Sequence, residues 1–173
     1  MRLFHELLGP VELPDRPERI VSLAPNVTDA LFALGVGDKV LGRSAFCHRP
    51  AEVLSLPVLA SYTKTRTELL RSLNPDLVLL STGVQRDQAL RLKEEGFPVY
   101  ALPLPLSPYG ILDNLSTLGH LLDLEERASE LAHQLAERYG RLKGRFSLKV
   151  YFEMDLGGPI TVGRGSYIAQ ALL

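Results

Sequence analysis

The chain has 173 residues, of which 46% are hydrophobic and 23% are charged, and its formal net charge is −1. This composition is typical of a globular protein with one full domain and room for the beginning of another. The near-neutral charge excludes a general nucleic-acid binder, because phosphate recognition requires a surplus of basic residues. The only cysteine, Cys47, excludes an internal disulfide.

The first predicted unit is a buried strand that leads directly into a helix. Residues 20–23 form a short apolar run, which favours a strand buried on both faces. Pro25 ends this strand, and Asn26 with Asp29 resembles a capping box that begins a helix. Gly35 stands where a left-handed helix cap is expected. Because the glycines follow the helix, the corner does not match a dinucleotide-binding loop.

Strand and helix signals then alternate along the chain. Such an alternation predicts a parallel sheet with helices on both faces. The predicted strands are residues 39–42, 57–59, 76–81 and 98–102, and the predicted helices between them are residues 67–73 and 85–95.

The pattern changes after the proline-rich segment PLPLSPYG. Two helices are predicted with no strand between them, at residues 109–122 and 124–142, and the second carries one apolar seam over roughly 28 Å. A strand at 148–153, a turn at 157–159, an extended stretch at 160–162 and a helix at 167–173 then begin a second α/β pattern. Since these few elements cannot bury a core alone, we expect an unfinished second lobe.

Three sequence blocks, taken in order, carry a family resemblance. They are SLAPNVTD, ELLRSLNPDLVLL, and YFEMD followed by GRGSYI. The chain resembles the class III substrate-binding proteins of ABC importers, the type that binds cobalamin, haem and ferric siderophores. The resemblance implies an α/β fold: a three-layer parallel-sheet lobe (1–122), a long linking backbone helix (123–145) and the beginning of a second α/β lobe (146–173). The ligand is expected in the cleft between the lobes.

The same resemblance implies a set of cleft residues, which follow strand ends in the first lobe and belong to the final blocks in the second. They are Ala24, Pro25, Asn26, Phe46, Cys47, His48, Arg49, Tyr62, Thr63, Gly83, Val84, Gln85, Tyr151, Glu153 and Arg164.

Some of these side chains have chemistry that suits a metal chelate. Phe46 and Tyr62 could lie against a macrocycle, and Arg49 or Arg164 could pair with a carboxylate or phosphate. His48 is the one residue able to reach an open axial position of a metal.

Each of these assignments has a structural alternative. The rings of Phe46 and Tyr62 also suit a core, Gly83 could only end a strand, and Cys47 could be a small buried hydrophobe. A Cys-His pair near strand ends also leaves open a cytosolic chelate-binding protein or a metallocluster-type enzyme on the same fold. We expect a binding protein without catalytic activity, because no third residue orients His48 and no carboxylates are paired for acid-base chemistry.

The resemblance also implies partners and a location. We expect ABC permease and ATPase subunits, with Glu68 in the position of a permease-docking glutamate, although charge at a helix N-terminus also explains that residue. The expected ligand is a cobalt- or iron-containing chelate, with no intrinsic cofactor. A homodimer through the unfinished lobe is a further expectation. Family members are periplasmic or extracytoplasmic, whereas the chain shows no signal segment, which leaves a cytoplasmic location open.

Overall fold

Five parallel strands form the central sheet of the structure, a computed structural model that describes residues 1–142, 144, 148–155 and 158–172. The strands are β3 (Ile20–Ser22), β4 (Val40–Ser44), β5 (Val58–Ala60), β6 (Leu77–Ser81) and β7 (Val99–Leu102). Their spatial order is β5-β4-β3-β6-β7, and every neighbouring pair is parallel. The predicted α/β class with a parallel sheet is therefore confirmed.

Helices cover both faces of this sheet and make it three layers thick. An antiparallel hairpin, β1 (Arg2–His5) and β2 (Gly9–Glu12), precedes the sheet. The helices of this part of the chain are α1 (Pro25–Ala33), α2 (Thr67–Ser72), α3 (Arg86–Glu94), α4 (Pro108–Leu122) and α5 (Glu125–Gly140).

Side chains of the central strands alternate between two apolar clusters. Ile20, Leu77 and Leu79 pack with residues of α1, α4 and α5 on one face. Val21 and Val78 pack on the other face with residues of α2, α3 and the hairpin. Because successive strand residues point to opposite faces, a run that is apolar throughout is buried on both sides.

The corner between β3 and α1 differs in detail from its prediction. The helix begins at Pro25, and its N-cap is Ala24, which makes no side-chain capping bond. Asn26 therefore lies inside the first turn, and its predicted capping role is wrong. Proline suits the first helical position because its fixed φ matches the helix and its missing N–H would have no partner there. Gly35 has φ +87°, as predicted for the helix end.

The predicted helix at 124–142 is α5, a single helix of 16 residues that ends at Gly140. A left-handed residue, Asp123 with φ 57°, turns the chain back so that α5 runs antiparallel along α4. The two helices touch where Gly119 meets Ala128, which is 1% exposed. The predicted rod is thus continuous, roughly 24 Å long, and packed on the first lobe for much of its length.

The last described elements form a small unit of their own. The strand predicted at 148–153 is wrong in its bounds: β8 (Glu153–Asp155) pairs antiparallel with β9 (Pro159–Thr161). Of the turn predicted at 157–159, Gly157 lies outside the described residues, and Pro159 already belongs to β9. The final helix is α6 (Tyr167–Ala171), and Leu173 likewise lies outside them.

The domain boundary predicted at 145–146 falls on residues outside those that the structure describes. In the ranges that it does describe, no helix has the length and apolar character needed to cross a bilayer.

Candidate functional site

An apolar pocket of about 390 Å³ opens at the carboxyl ends of β3, β6 and β7. The first turn of α1 and one face of α4 form its sides. Open parallel sheets bind ligands at this edge, because the strand-to-helix corners meet there. Of the predicted site residues, those that line the pocket are Ala24, Pro25, Asn26, Tyr62, Val84 and Gln85.

Buried hydroxyl groups hold the corner that forms the pocket floor. Thr28 Oγ1 lies 3.0 Å from the carbonyl oxygen of Ala24 and 2.8 Å from Ser22 Oγ. These bonds tie the first turn of α1 to the end of β3 within a fully buried region. The corner is therefore rigid before any ligand arrives, which reduces the entropy that binding must cost.

Gln85 links the ends of β3 and β6 through hydrogen bonds of its side-chain amide. Its Nε2 donates to the carbonyl of Leu23 at 2.8 Å, and its Oε1 accepts from the backbone N–H of Ser81 at 3.1 Å. The residue is only 4% exposed. Because both ends of the amide have partners inside the protein, Gln85 shapes the pocket wall and has little capacity left to bind a ligand.

Tyr62 lines the pocket, and its ring stacks on that of Phe46, which is not among the lining residues. The rings of Phe46 and Tyr62 lie 4.0 Å apart at 17°. Tyr62 projects from a tight turn that is closed by a bond from Ser61 N to the carbonyl of Lys64 at 2.8 Å. Both rings are about two-fifths exposed, at 39% and 43%. Neither ring therefore belongs to the core, and together the two offer a flat apolar surface.

Cys47, the residue after Phe46, is fully buried and does not line the pocket. Its Sγ lies 3.0 Å from Thr28 Oγ1 and 3.2 Å from Ser44 Oγ. The Arg43 guanidinium also donates to the carbonyl of Cys47 at 3.1 Å. This arrangement favours the structural alternative for Cys47, which holds the loop that carries Phe46.

We expect the thiol of Cys47 to be protected in the native protein. A thiol-specific reagent should label it at least about 10³-fold more slowly than in urea, because labelling requires an opening of the core. Ser72→Cys in a Cys47→Ala background is the matched control, since Ser72 is exposed on α2. Equal labelling rates for the two cysteines would show that Cys47 is accessible.

His48 and Arg49 are exposed on the outer side of the same loop and do not line the pocket. Nη2 of Arg49 lies 2.9 Å from Oδ2 of Asp29, and its side chain is 82% exposed. An ion pair this exposed contributes little to stability.

Thr63 and Gly83 lie next to lining residues without lining the pocket themselves. Gly83 has φ +87°, so it allows the turn that follows β6.

The predicted second-lobe residues also lie outside this pocket. Tyr151, Glu153 and Arg164 are exposed, and Tyr151 keeps 73% of its surface accessible. Among the described residues of that region, Tyr167 at the start of α6 lines the pocket.

Most of the pocket wall is formed by residues other than those predicted from the sequence. The missed lining residues are Val27, Ala30, Ser81, Thr82, Leu102, Leu104, Pro105, Ile111, Asn114, Leu115, Leu118 and Tyr167. The lining residues at the ends of β6 and β7 could have been predicted, because ligands of open parallel sheets bind at the carboxyl ends of the strands. The α4 residues had no such signal, since their pattern is that of an ordinary amphipathic helix.

A second cavity of about 480 Å³ lies between the hairpin and the ends of β6 and β7. His5 anchors its wall, with Nε2 2.7 Å from the carbonyl of Ala101 and Nδ1 accepting from the N–H groups of Leu7 and Leu8. Burial raises the pKa of the neighbouring Tyr100 above its ordinary value. The hydrogen bond from the His5 ring to Ala101 holds the hairpin against the sheet.

Glu68 is exposed in the first turn of α2, at the edge of the sheet that carries β5. Within the described ranges, no group of three or more His, Cys, Asp or Glu side chains is placed to hold a metal ion.

Comparison with known proteins gives consistent matches. A family model described as "Periplasmic binding protein" matches residues 20–172. The vitamin B12-binding protein of Vibrio cholerae is 26% identical over 162 residues, covering 91% of this chain and 58% of that protein.

Solved structures show the same similarity. The periplasmic vitamin B12 binding protein BtuF of Vibrio cholerae has a TM-score of 0.77 and 25% identity, covering 91% of this chain and 63% of that chain. The periplasmic haem-binding protein RhuT of Roseiflexus sp. RS-1 has a TM-score of 0.76 and 26% identity, covering 88% of this chain and 62% of that chain. The chain thus spans between 58% and 63% of the length of these proteins.

Proposed function

The chain belongs to the periplasmic binding protein family, and we propose that it is the solute-binding component of an ABC importer, holding a cobalt- or iron-containing chelate. The observation that carries this proposal is the apolar pocket at the carboxyl ends of β3, β6 and β7, where Tyr62 lines the wall and stacks on the exposed ring of Phe46. A flat macrocycle or a compact chelate gains most from such a preformed apolar wall.

In this proposal the metal arrives inside the chelate. The chain contributes shape and apolar contact, because Cys47 is buried in its own hydrogen bonds and His48 stands outside the pocket. Support for the ligand class comes from the relatives, whose names give vitamin B12 and haem as what they bind. The same names support a binding role over the enzyme alternative.

The proposal extends to the arrangement of the whole protein. The first lobe, the helix α5 and the second unit would enclose the ligand between them, and Tyr167 of α6, which reaches the pocket, supports this arrangement. Permease and ATPase subunits are the proposed partners, with Glu68 as a docking residue at an exposed helix start. Exposed charges of this kind steer association more than they add affinity. We also propose an extracytoplasmic location, in line with the family description.

The test is a titration of the purified protein with cyanocobalamin, haemin and a neutral ferric trihydroxamate. We expect saturable one-to-one binding of at least one chelate, with a dissociation constant of roughly 1 μM or below, seen as a change in chelate absorbance or by calorimetry. Absence of saturation with all three would contradict the proposal. Free cobalt ion and free ferric ion, without any chelator, serve as controls and are expected not to bind.

A further inference from the structure

The pocket lining is uncharged, and this restricts the part of the ligand that it can accept. Across the part of the chain that the structure describes, no Asp, Glu, Lys, Arg or His side chain lines the pocket. Its walls are formed by aliphatic and aromatic groups such as Leu102, Ile111, Leu115 and Tyr62, interrupted by a few neutral polar groups. The nearby arginine, Arg49, lies outside the lining and is already paired with Asp29.

One buried polar atom of the lining, Ser81 Oγ, has no hydrogen-bond partner among the residues that the structure describes. Ser81 is 8% exposed, and its Oγ is buried without a partner. A buried hydroxyl without a partner is unusual in native proteins, and it commonly marks a place for water or a ligand. The neighbouring polar side chains each make a hydrogen bond: Asn114 Nδ2 donates to the carbonyl of Pro103 at 2.8 Å, and Thr82 Oγ1 accepts from the N–H of Leu104 at 2.9 Å.

Resting on the function proposed above, we infer that this pocket receives an uncharged, mainly apolar part of the chelate that presents one hydrogen-bonding atom to Ser81. Chelates that place a carboxylate in the pocket are selected against.

The helix ends beside the pocket do not reverse this preference. The N-termini of α1 and α3 favour negative charge, but such an effect is worth only about fivefold in affinity. An unpaired carboxylate in a dry pocket costs about a hundredfold or more. Pro25 also removes one of the N–H donors that an anion at the start of α1 would use. The cost of removing the carboxylate from water therefore exceeds the gain from the helix ends, and the pocket still favours the neutral group.

The experiment compares matched chelates that differ in charge. The pairs are cyanocobalamin with its monocarboxylic acid isomers, haemin dimethyl ester with haemin, and a neutral ferric trihydroxamate with the same chelate carrying one carboxylate. In the pair that binds, we expect the neutral member to bind at least about tenfold more tightly. In the cobalamin series, cyanocobalamin should bind this much more tightly than at least one of its monocarboxylic acid isomers. Equal affinity throughout that pair would overturn the inference and leave the proposed function standing, whereas failure of all chelates to bind would overturn the function.

Two variants locate the effect in the pocket. Val84→Lys adds a cation at the pocket mouth, where Val84 is 72% exposed, and should strengthen the charged member about threefold or more without strengthening the neutral one. Leu54→Lys is the matched control, because Leu54 is 52% exposed, does not line the pocket and lies four residues before the amino end of β5. An equal gain in both variants would contradict the assignment to this pocket.

Ser81→Ala tests the hydrogen bond. We expect the neutral member to bind about threefold to tenfold more weakly, with the unfolding midpoint nearly unchanged because the hydroxyl has no partner to lose. Unchanged affinity would overturn the role of Ser81. Ser72→Ala, at an exposed site on α2, is the control for a serine that lies away from the pocket.

Discussion

Replacing Tyr62 by alanine is expected to weaken chelate binding by about 10- to 100-fold. Tyr62 lines the pocket and stacks on Phe46 at 4.0 Å, so its ring combines a large apolar surface with a fixed orientation. Aromatic anchors of this kind commonly dominate binding energy. Because Tyr62 is 43% exposed, the free energy of unfolding should fall by no more than about 1 kcal/mol. Calorimetry measures the first effect and urea denaturation the second.

A matched variant distinguishes the loss of a ring in the pocket from the loss of an exposed aromatic ring elsewhere. Tyr109 is 55% exposed and contacts one ring, that of Tyr139, but does not line the pocket. Tyr109→Ala should therefore leave the affinity within about twofold. Phe46→Ala should give part of the Tyr62 effect, because Tyr62 then loses the ring that orients it. An unchanged affinity in Tyr62→Ala would remove the stacked pair from the site.

Replacing Gly119 by leucine is expected to lower the free energy of unfolding by about 2 to 3 kcal/mol. A Cβ at this position would lie 2.5 Å from Cβ of Ala128 and 3.3 Å from the carbonyl oxygen of Leu124. Neither atom can move without displacing α5, since Ala128 is 1% exposed. The substitution therefore separates two helices, one of which carries part of the pocket wall. Urea or thermal denaturation measures the change.

Gly140→Leu is the control for this prediction. Gly140 ends α5, and a Cβ there meets nothing within 4 Å. We expect stability to stay within about 0.5 kcal/mol of the parent, or to rise slightly because leucine is the better helix former. If the two leucine variants were equally stable, the close contact between α4 and α5 would not exist as described.

Much of the first lobe was predictable because its signals are local. The strand at Leu77–Ser81 is an unbroken apolar run preceded by Asn74-Pro75, which ends the helix before it. Gly35 and Gly96 both have the positive φ expected at helix ends, at 87° and 85°. The family resemblance, read from three blocks in order, is confirmed by the match over residues 20–172 and by the similarity to solved structures.

The amino-terminal hairpin was not predictable in the same way. Its strands, Arg2–His5 and Gly9–Glu12, contain charged residues and a proline and give no clear alternation. What holds them is distant in sequence: His5 contacts the carbonyl of Ala101, and Leu8 and Val11 pack beneath the sheet. Contacts over such separations leave no local pattern.

The sequence by itself determined the α/β class, the position of the corner between β3 and α1, and one unbroken helix over most of residues 124–142. Apolar periodicity and helix-breaking residues act within a few positions of one another, so they can be read without the fold. Only the tertiary structure decided that Gln85 clamps two strands and that Tyr167 reaches the pocket. It also decided that the pocket is uncharged, because which side chains face a cavity depends on how distant elements pack, and desolvation then selects what can enter.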